Sequence, residues 1–356
     1  MTPRDATSVA PTATASGGAV GPAPAGPASG MAARWQAAPW LVSPAFDLLF
    51  VANVAWLLVL IPGFAYGQST PITFWQLYFI TTPHRWLTLF LVALDPDRRD
   101  GRDRWFIAIA LVGAVLILGT QLTTGTLLCL LLLDYVWNGW HFASQHAGVL
   151  RIYARKGNAL AWSGLERHGL RLFLCYVIAR TAAWAVGWLE PYPQWQEALR
   201  YLDWSMLGLP LALVLSELTA GQGLHRLPKR VYLLSVCGLY SGLLLAITTH
   251  TSALIVALST AVAAFHAIEY LAIVTHYARQ RRQTGSAGLF RAVAWRWSMV
   301  LACFLLMLGT VAVLAERYVP SWWLALNLWV ALLHYAYDGL IWKLRRAPTA
   351  KSLGIE

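Results

Sequence analysis

Apolar runs long enough to cross a lipid bilayer recur along this chain and limit its fold more than any other feature. They lie at roughly 43–66, 73–95, 104–122, 126–150, 168–189, 204–220, 231–249, 252–278, 297–315 and 320–343. A bilayer offers no water to backbone N–H and C=O groups, so a span must satisfy them internally, and runs of about 20 residues are typical of helices. The sequence therefore predicts an all-α, polytopic membrane bundle of about ten transmembrane helices.

The composition also indicates a membrane protein. Hydrophobic residues make up 58% of the 356 residues and charged residues only 12%, whereas charged residues make up about a quarter of soluble domains. The net charge of +11 comes from short basic clusters between the apolar runs, not from one basic soluble face of the kind that binds nucleic acid. We therefore expect no nucleic-acid partner and a multi-pass protein of the cell membrane, which in a bacterium is the inner membrane.

The basic clusters alternate between the two sides of the predicted bundle. The turns after the second, fourth, sixth and eighth runs contain "DPDRRDGRDR", "RIYARKG", "HRLPKR" and "RQRRQTG", and "KLRR" follows the last run. The turns after the first, third and seventh runs contain no Lys or Arg. Because Lys and Arg mark the cytoplasmic side of membrane proteins, we predict that both termini are cytoplasmic.

Three regions follow from these patterns. Residues 1–38 are rich in Ala, Pro and Gly and are predicted to be a disordered cytoplasmic tail. Residues 39–346 form the predicted transmembrane helical domain, and residues 347–356 form a short cytoplasmic tail. Mid-helix Arg180 requires a partner within the bundle, because an unpaired guanidinium is costly there.

Ionisable side chains concentrate inside four of the even-numbered runs. They are His84, His141, His146, His266, Glu269, His276, His334 and Asp338. Counted from the next basic residue at 1.5 Å per residue, most of these histidines lie roughly 13–21 Å inside the cytoplasmic edge. Imidazoles and carboxylates at one depth offset each other's desolvation by sharing a cation. We predict that these eight residues bind metal.

Helical periodicity gives each of these runs one polar face. Asp134, Asn138, His141 and Gln145 are spaced 4, 3 and 4 residues apart and share a stripe. His146 points about 140° away from His141, which suits a supporting position or the cytoplasmic rim. We predict that Asn138 and Gln145 contact the cofactor and that Arg85 contacts buried carboxylates or an anionic ligand.

The types of ligand narrow the choice of metal. Several imidazoles with one to three carboxylates and no thiolate suit iron, copper or zinc and disfavour calcium or magnesium. We expect non-haem iron, mononuclear or dinuclear, with copper or zinc as alternatives. Haem b, held by two facing histidines, is a further alternative.

Four short motifs resemble the integral-membrane β-carotene 15,15′-dioxygenase family. They are "PHRW" with His84, "WHFA" with His141, "FHAIEY" with His266, and "LHYAYD" with His334 and Asp338. The resemblance implies a polytopic histidine-rich metalloenzyme. Arg85 departs from the family, and Glu269 stands where the family has a paired histidine. "HFASQH" also satisfies the spacing of the first box of membrane fatty-acid desaturases, but their HxxHH boxes are absent.

Three classes of function fit these features. The first is a metal-dependent membrane oxidase, oxygenase or desaturase that acts on a lipid or isoprenoid, with an electron donor as a possible partner. In that interpretation His84, His141, His266 and His334 hold the metal, and Glu269 and Asp338 bridge it or complete its shell. The second is a b-type haem protein for electron transfer. The third is a proton- or metal-coupled transporter, since Asp, Glu and His also line proton paths.

Overall fold

The computed structural model describes residues 35–61, 77–158, 164–187, 191–221, 223–284, 289–344 and 346–355. The structure is 87% helical, and the described residues contain no strand, which confirms the all-α prediction. We label its α-helices of six or more residues α1 (Thr82–Leu94), α2 (Asp103–Thr124), α3 (Leu128–Lys156), α4 (Leu170–Ala185), α5 (Pro193–Met206), α6 (Gly208–Thr219), α7 (Leu227–Thr248), α8 (Ser252–Thr284), α9 (Leu289–Trp295), α10 (Trp297–Tyr318), α11 (Pro320–Ile341) and α12 (Ala347–Ser352). Residues 1–34 of the predicted disordered tail lie outside the described residues.

Six helical segments of the described chain are long and apolar enough to cross a membrane. They are Asp103–Thr124, Pro193–Thr219, Leu224–Thr248, Ser252–Gln283, Trp297–Tyr318 and Pro320–Ile341. Large apolar side chains lie exposed on the outer faces of α2 and α10, among them Val115 and Leu306. Such surfaces are stable in contact with lipid and unfavourable in water.

Helix boundaries follow local sequence signals. Pro83 lies in the first turn of α1, directly after a π-helical turn at Leu77–Thr81. Gly125 ends α2 with φ +69°, a left-handed conformation that glycine adopts without strain. The run predicted at 204–220 begins earlier than expected, because Pro193 starts α5 and a break at Leu207 separates α5 from α6.

The first predicted span, 43–66, is not a regular α-helix over its described part. It consists of one α-helical turn, a π-helical turn at Asp47–Val51 and a 3₁₀ helix at Val54–Leu60. Asn53 separates the last two in a left-handed conformation. The buried Asp47 carboxylate explains part of this geometry, because it accepts hydrogen bonds from the backbone N–H groups of Leu41 and Val42 and from the Tyr153 hydroxyl.

Four helices form a closed ring in the middle of the bundle. α1 packs on α8, α8 on α3, α3 on α11, and α11 on α1. One hydrophobic core cluster fills the space on the side of α3, α4, α7 and α8, and a second fills the space between α1, α8, α10 and α11. The ring encloses the point where these two clusters meet.

The predicted C-terminal tail is folded onto the bundle. Within it, α12 is followed by Leu353 and Ile355, whose side chains are buried. The Leu353 carbonyl lies 3.1 Å from His276 Nε2 on α8. The apolar residues at 353 and 355 explain this docking, because they bury their side chains against the core.

Arg180 finds its partner in α5. Its Nε and Nη2 donate to the two Asp203 carboxylate oxygens, both at 2.8 Å, and Asp203 is fully buried. Tyr176 and Thr248 donate to the same carboxylate. The ion pair therefore ties α4 to α5 and α7.

Candidate metal centre

Four imidazoles occupy the inside of the four-helix ring. His84 on α1, His266 on α8, His141 on α3 and His334 on α11 follow one another in the same order as their helices. Neighbouring ring centroids are 5.1 Å apart for His84 and His266, 5.0 Å for His266 and His141, 4.6 Å for His141 and His334, and 5.0 Å for His334 and His84. The structure thus brings together one histidine from each of the four runs that the sequence singled out.

Hydrogen bonds fix the orientation of two of these rings. His84 Nδ1 contacts the Thr81 carbonyl oxygen, and a carbonyl only accepts, so the proton lies on Nδ1 and the lone pair on Nε2. His334 Nδ1 lies 2.7 Å from the Thr88 hydroxyl, and its Nε2 is buried without a partner. Metal-binding histidines show this arrangement, in which one nitrogen is held by the protein and the other faces the ion.

The other two imidazoles lack partners where burial makes this costly. Both ring nitrogens of His266 are buried without a hydrogen bond, although the side chain is fully inaccessible to solvent. Nε2 of His141 is also buried without a hydrogen bond. An unsatisfied buried polar group costs about 1–3 kcal/mol, and these nitrogens are therefore free to bind an ion within the ring.

Asp338 lies beside the four imidazoles, next to His141 and His334. Its Oδ1 accepts hydrogen bonds from Thr88 Oγ1 at 3.1 Å and from the Tyr270 hydroxyl at 3.0 Å. Its Oδ2 lies 3.9 Å from His141 Nε2 and 3.8 Å from His334 Nδ1. The carboxyl group is 7% exposed, so it lies within the site and is not a solvated group at the end of a helix.

Two overlapping sets of residues can hold an ion. His84, His266 and His334 bring one potential ligand atom each within 4.8 Å of one another, and so do His141, His334 and Asp338. Both sets are buried, and both contain His334. Imidazole nitrogens with one carboxylate fit iron, copper or zinc, so the residues present suit the metals that the sequence suggested.

The structure places two of the predicted ligands in a neighbouring polar cluster. Glu269 accepts from the Tyr232 hydroxyl at 2.5 Å and from Gln145 Nε2 at 2.6 Å, and it lies 3.3 Å from His146 Nδ1. His146 also contacts the Tyr232 hydroxyl at 2.9 Å. Neither Glu269 nor His146 belongs to the two sets whose ligand atoms lie within 4.8 Å of one another. In the structure their side chains contact each other and Tyr232, so direct binding of the metal by these two residues stays a prediction.

His276 lies outside the centre. It is ten residues after His266 and therefore about 15 Å further along α8, where its imidazole contacts the Leu353 carbonyl. His276 therefore belongs to neither of the two sets of residues that can hold an ion. Its described contact is with the C-terminal segment.

Asn138 and Arg85, two further residues predicted to contact the cofactor or its ligands, lie on one side of the site. The Tyr335 hydroxyl lies within hydrogen-bond distance of Asn138 Oδ1 (3.1 Å) and Asp134 Oδ1 (3.0 Å), and the Tyr335 ring lies 5.0 Å from that of His141. Arg85, beside His84, lies within electrostatic range of Asp134, and its Nε is buried without a hydrogen bond. Asn138 therefore contacts Tyr335, and Arg85 lies near the Asp134 carboxylate.

The sequence interpretation missed Thr88, Tyr270 and Tyr335. A signal was present for the first two, because each lies four residues after a ring histidine, as Asp338 does after His334. Residues four apart share a helix face, so a histidine followed by a polar residue at this spacing supplies a ligand and its partner. Tyr335 directly follows His334, and no spacing rule selects it.

A cavity of about 470 Å³ extends from the candidate metal centre between α3 and α11. His141, Tyr270 and Asp338 line its inner part, and Lys343 lines the part near the end of α11. Most of its remaining lining is apolar or aromatic, including Trp137, Trp140, Val149, Ile152, Ile273, Leu340, Trp342 and Leu344. This volume lies within the usual range for ligand pockets.

Known proteins give no match to this chain. No protein-family model, no curated protein and no solved structure matches it. The likeness of its four histidine motifs to the membrane β-carotene dioxygenases therefore remains a resemblance between short motifs.

Proposed function

We propose that the protein is an integral membrane metalloenzyme, a non-haem iron oxidase, oxygenase or desaturase acting on a lipid or isoprenoid. The observation that carries this proposal is the ring of four buried imidazoles, three of which have a ring nitrogen without a hydrogen bond, with the Asp338 carboxylate 3.9 Å from His141 Nε2. The apolar cavity that reaches His141 and Asp338 supports a hydrophobic substrate. We further propose about ten spans with both termini in the cytoplasm of a cell membrane, because the basic turns alternate.

In this proposal His84, His141, His266 and His334 hold the metal and Asp338 supplies the negative charge. Bound iron would supply electron-transfer and oxygen chemistry. The protein contributes orientation and a dry site. Thr88 and Thr81 fix two of the rings, Tyr270 and Thr88 hold the carboxylate, and the two core clusters exclude water on either side.

The packing of the four imidazoles favours direct coordination of a metal ion over the binding of haem. The four imidazoles contact one another edge to face inside a closed ring of helices. A haem held by two of them would need its flat macrocycle in the space that the other two occupy. Direct coordination of a bare ion needs no such space.

Turnover of lipid tests the proposal. Protein reconstituted with ferrous iron should consume oxygen when supplied with a total lipid extract and a chemical reductant, and mass spectrometry should detect an oxidised or desaturated lipid. His141→Ala should remove both signals, whereas replacement of the exposed His168 should leave them intact. Equal oxygen consumption by both variants would contradict the proposal.

A further inference from the structure

The cavity beside the metal centre has two chemically different parts. Its inner part contains His141 and Asp338, and its walls are mainly apolar. Its outer part contains Lys343, which lies five residues after Asp338 and therefore about 7–8 Å further along the chain if the helical rise continues. The order from outside to inside is thus a cation, apolar walls and the candidate ligands.

A second cation lies at the outer part. Arg155 is exposed near the end of α3, and its Nη1 donates to the Leu344 carbonyl at 2.8 Å. Leu344 itself lines the cavity. Among the described residues, no carboxylate forms an ion pair with Arg155, and its hydrogen bond goes to an uncharged carbonyl. Two basic side chains therefore stand where the cavity meets the end of the helices.

The cavity lies between two helices that contact each other directly, α3 and α11. Small residues provide the space. A Cβ atom on Gly148 or Gly339 would meet no other atom within 4 Å, and both glycines line the cavity. Trp140 also lines it and is 54% exposed on the outside of the bundle. Val136 and Leu133, one and two turns before Trp140 on α3, are also exposed, so the route beside Trp140 leads to lipid.

From this arrangement we infer that the cavity binds an anionic lipid, with the headgroup at Lys343 and Arg155 and one hydrocarbon chain extending inward past Asp338 and His141. The chain enters sideways between α3 and α11. The charge of the two basic residues selects an anionic headgroup, and the apolar walls accept the chain. This inference rests on the proposed function and defines its substrate class, because the metal centre then faces the chain below the headgroup.

Photolabelling of the full-length protein in lipid nanodiscs tests this inference. The probe is a phosphatidylglycerol with a diazirine in one acyl chain, and peptide mapping locates the label after illumination. Labelling should fall on α3 and α11. Excess unlabelled phosphatidylglycerol should suppress it, whereas millimolar inorganic phosphate should not, because the hydrocarbon chain contributes to binding. Suppression by phosphate alone, or label spread evenly over the lipid-facing helices, would overturn the inference.

Two matched pairs of variants sharpen the test. Gly148→Leu fills the cavity and should abolish the α3 and α11 label, whereas Gly119→Leu, at an equally open position of α2, should retain it. Lys343→Gln should lower labelling by about fivefold, the loss expected for one basic residue near an anionic headgroup. Lys351→Gln, an exposed change on α12, should have no effect. Equal labelling of Gly148→Leu and Gly119→Leu, or of a phosphatidylcholine probe and the anionic probe, would contradict the lipid assignment.

Metal analysis of the same samples separates this inference from the proposed function. Gly148→Leu should keep its bound iron, because the glycine touches none of the candidate ligands. Specific labelling of a protein that binds no metal would uphold the lipid site and refute the metalloenzyme. Bound iron without specific labelling would refute only the lipid site.

Discussion

His334 Nδ1 on α11 lies 2.7 Å from the Thr88 hydroxyl on α1, and the same hydroxyl contacts Asp338 Oδ1 at 3.1 Å. One threonine thus orients a candidate metal ligand and holds the adjacent carboxylate. The Tyr270 hydroxyl, 2.5 Å from Thr88 Oγ1, extends the network to α8. Thr88 therefore links three of the four helices that enclose the centre.

We expect Thr88→Val to lower metal affinity by about 10–100-fold, since this is the usual loss when a partner of a metal ligand is removed. Valine keeps the shape of threonine but removes the hydroxyl, and metal titration of the purified variant measures the effect. Thr310→Val is the matched control, because that hydroxyl is exposed and donates to the Leu306 carbonyl of its own helix. Parent-like affinity in Thr88→Val would show that His334 needs no such support.

Asp338→Asn should also lower metal affinity by about 10–100-fold. The change preserves the volume of the side chain and removes the negative charge that offsets a cation in this buried position. Asp97→Asn, at a carboxylate that is 60% exposed and pairs with Arg281, is the control. If Asp338→Asn titrates like the parent, the carboxylate has no part in the centre.

The ion pair of Arg180 and Asp203 should support stability and have no effect on metal binding. Arg180→Met leaves a buried carboxylate without its cation and should destabilise the protein by about 3–5 kcal/mol, observed as earlier thermal unfolding in detergent. The double variant Arg180→Met/Asp203→Leu should recover much of this loss. Arg200→Met, which breaks an exposed pair with Glu197, should change stability by less than about 1 kcal/mol. Equal unfolding temperatures for the two single arginine variants would contradict this account.

The membrane topology can be tested with reporter insertions. A reporter fused after Glu356 and another placed between α8 and α9 should both indicate the cytoplasm, because basic clusters flank both positions. A reporter in the turn between α7 and α8, which contains no Lys or Arg, should indicate the opposite side. A cytoplasmic signal from that turn would contradict the assigned orientation and the common depth of the histidines.

Much of the centre could be predicted because membrane burial restricts where ionisable residues occur. His84, His141, His266 and His334 stood out as polar residues at one depth on separate apolar runs, and the structure places all four in contact. Helical periodicity also placed Asn138 and Gln145 on the same face as His141. These predictions depend only on rise and rotation per residue, which vary little within a helix.

The remaining features depend on which helices are neighbours, and a single sequence does not contain that information. Glu269 and His146 are predicted as ligands because they are ionisable residues inside the same apolar runs as His266 and His141, and the sequence does not reveal that α7 brings Tyr232 into contact with both of them. The pairing of Arg180 with Asp203 likewise depends on α5 packing beside α4, which the sequence does not reveal. The irregular geometry around Asp47 has no signal in the sequence, where residues 43–66 form an ordinary apolar run.

The central claim is that one buried centre in the four-helix ring binds metal, and the metal content of purified protein tests it most directly. Elemental analysis should find stoichiometric iron in the parent and in His168→Ala, and should find almost none in His266→Ala, whose unpartnered imidazole lies inside the ring. An optical spectrum of the same samples should lack the Soret band of haem. Equal metal content in His266→Ala and His168→Ala, or no metal above the buffer level in any sample, would contradict the account.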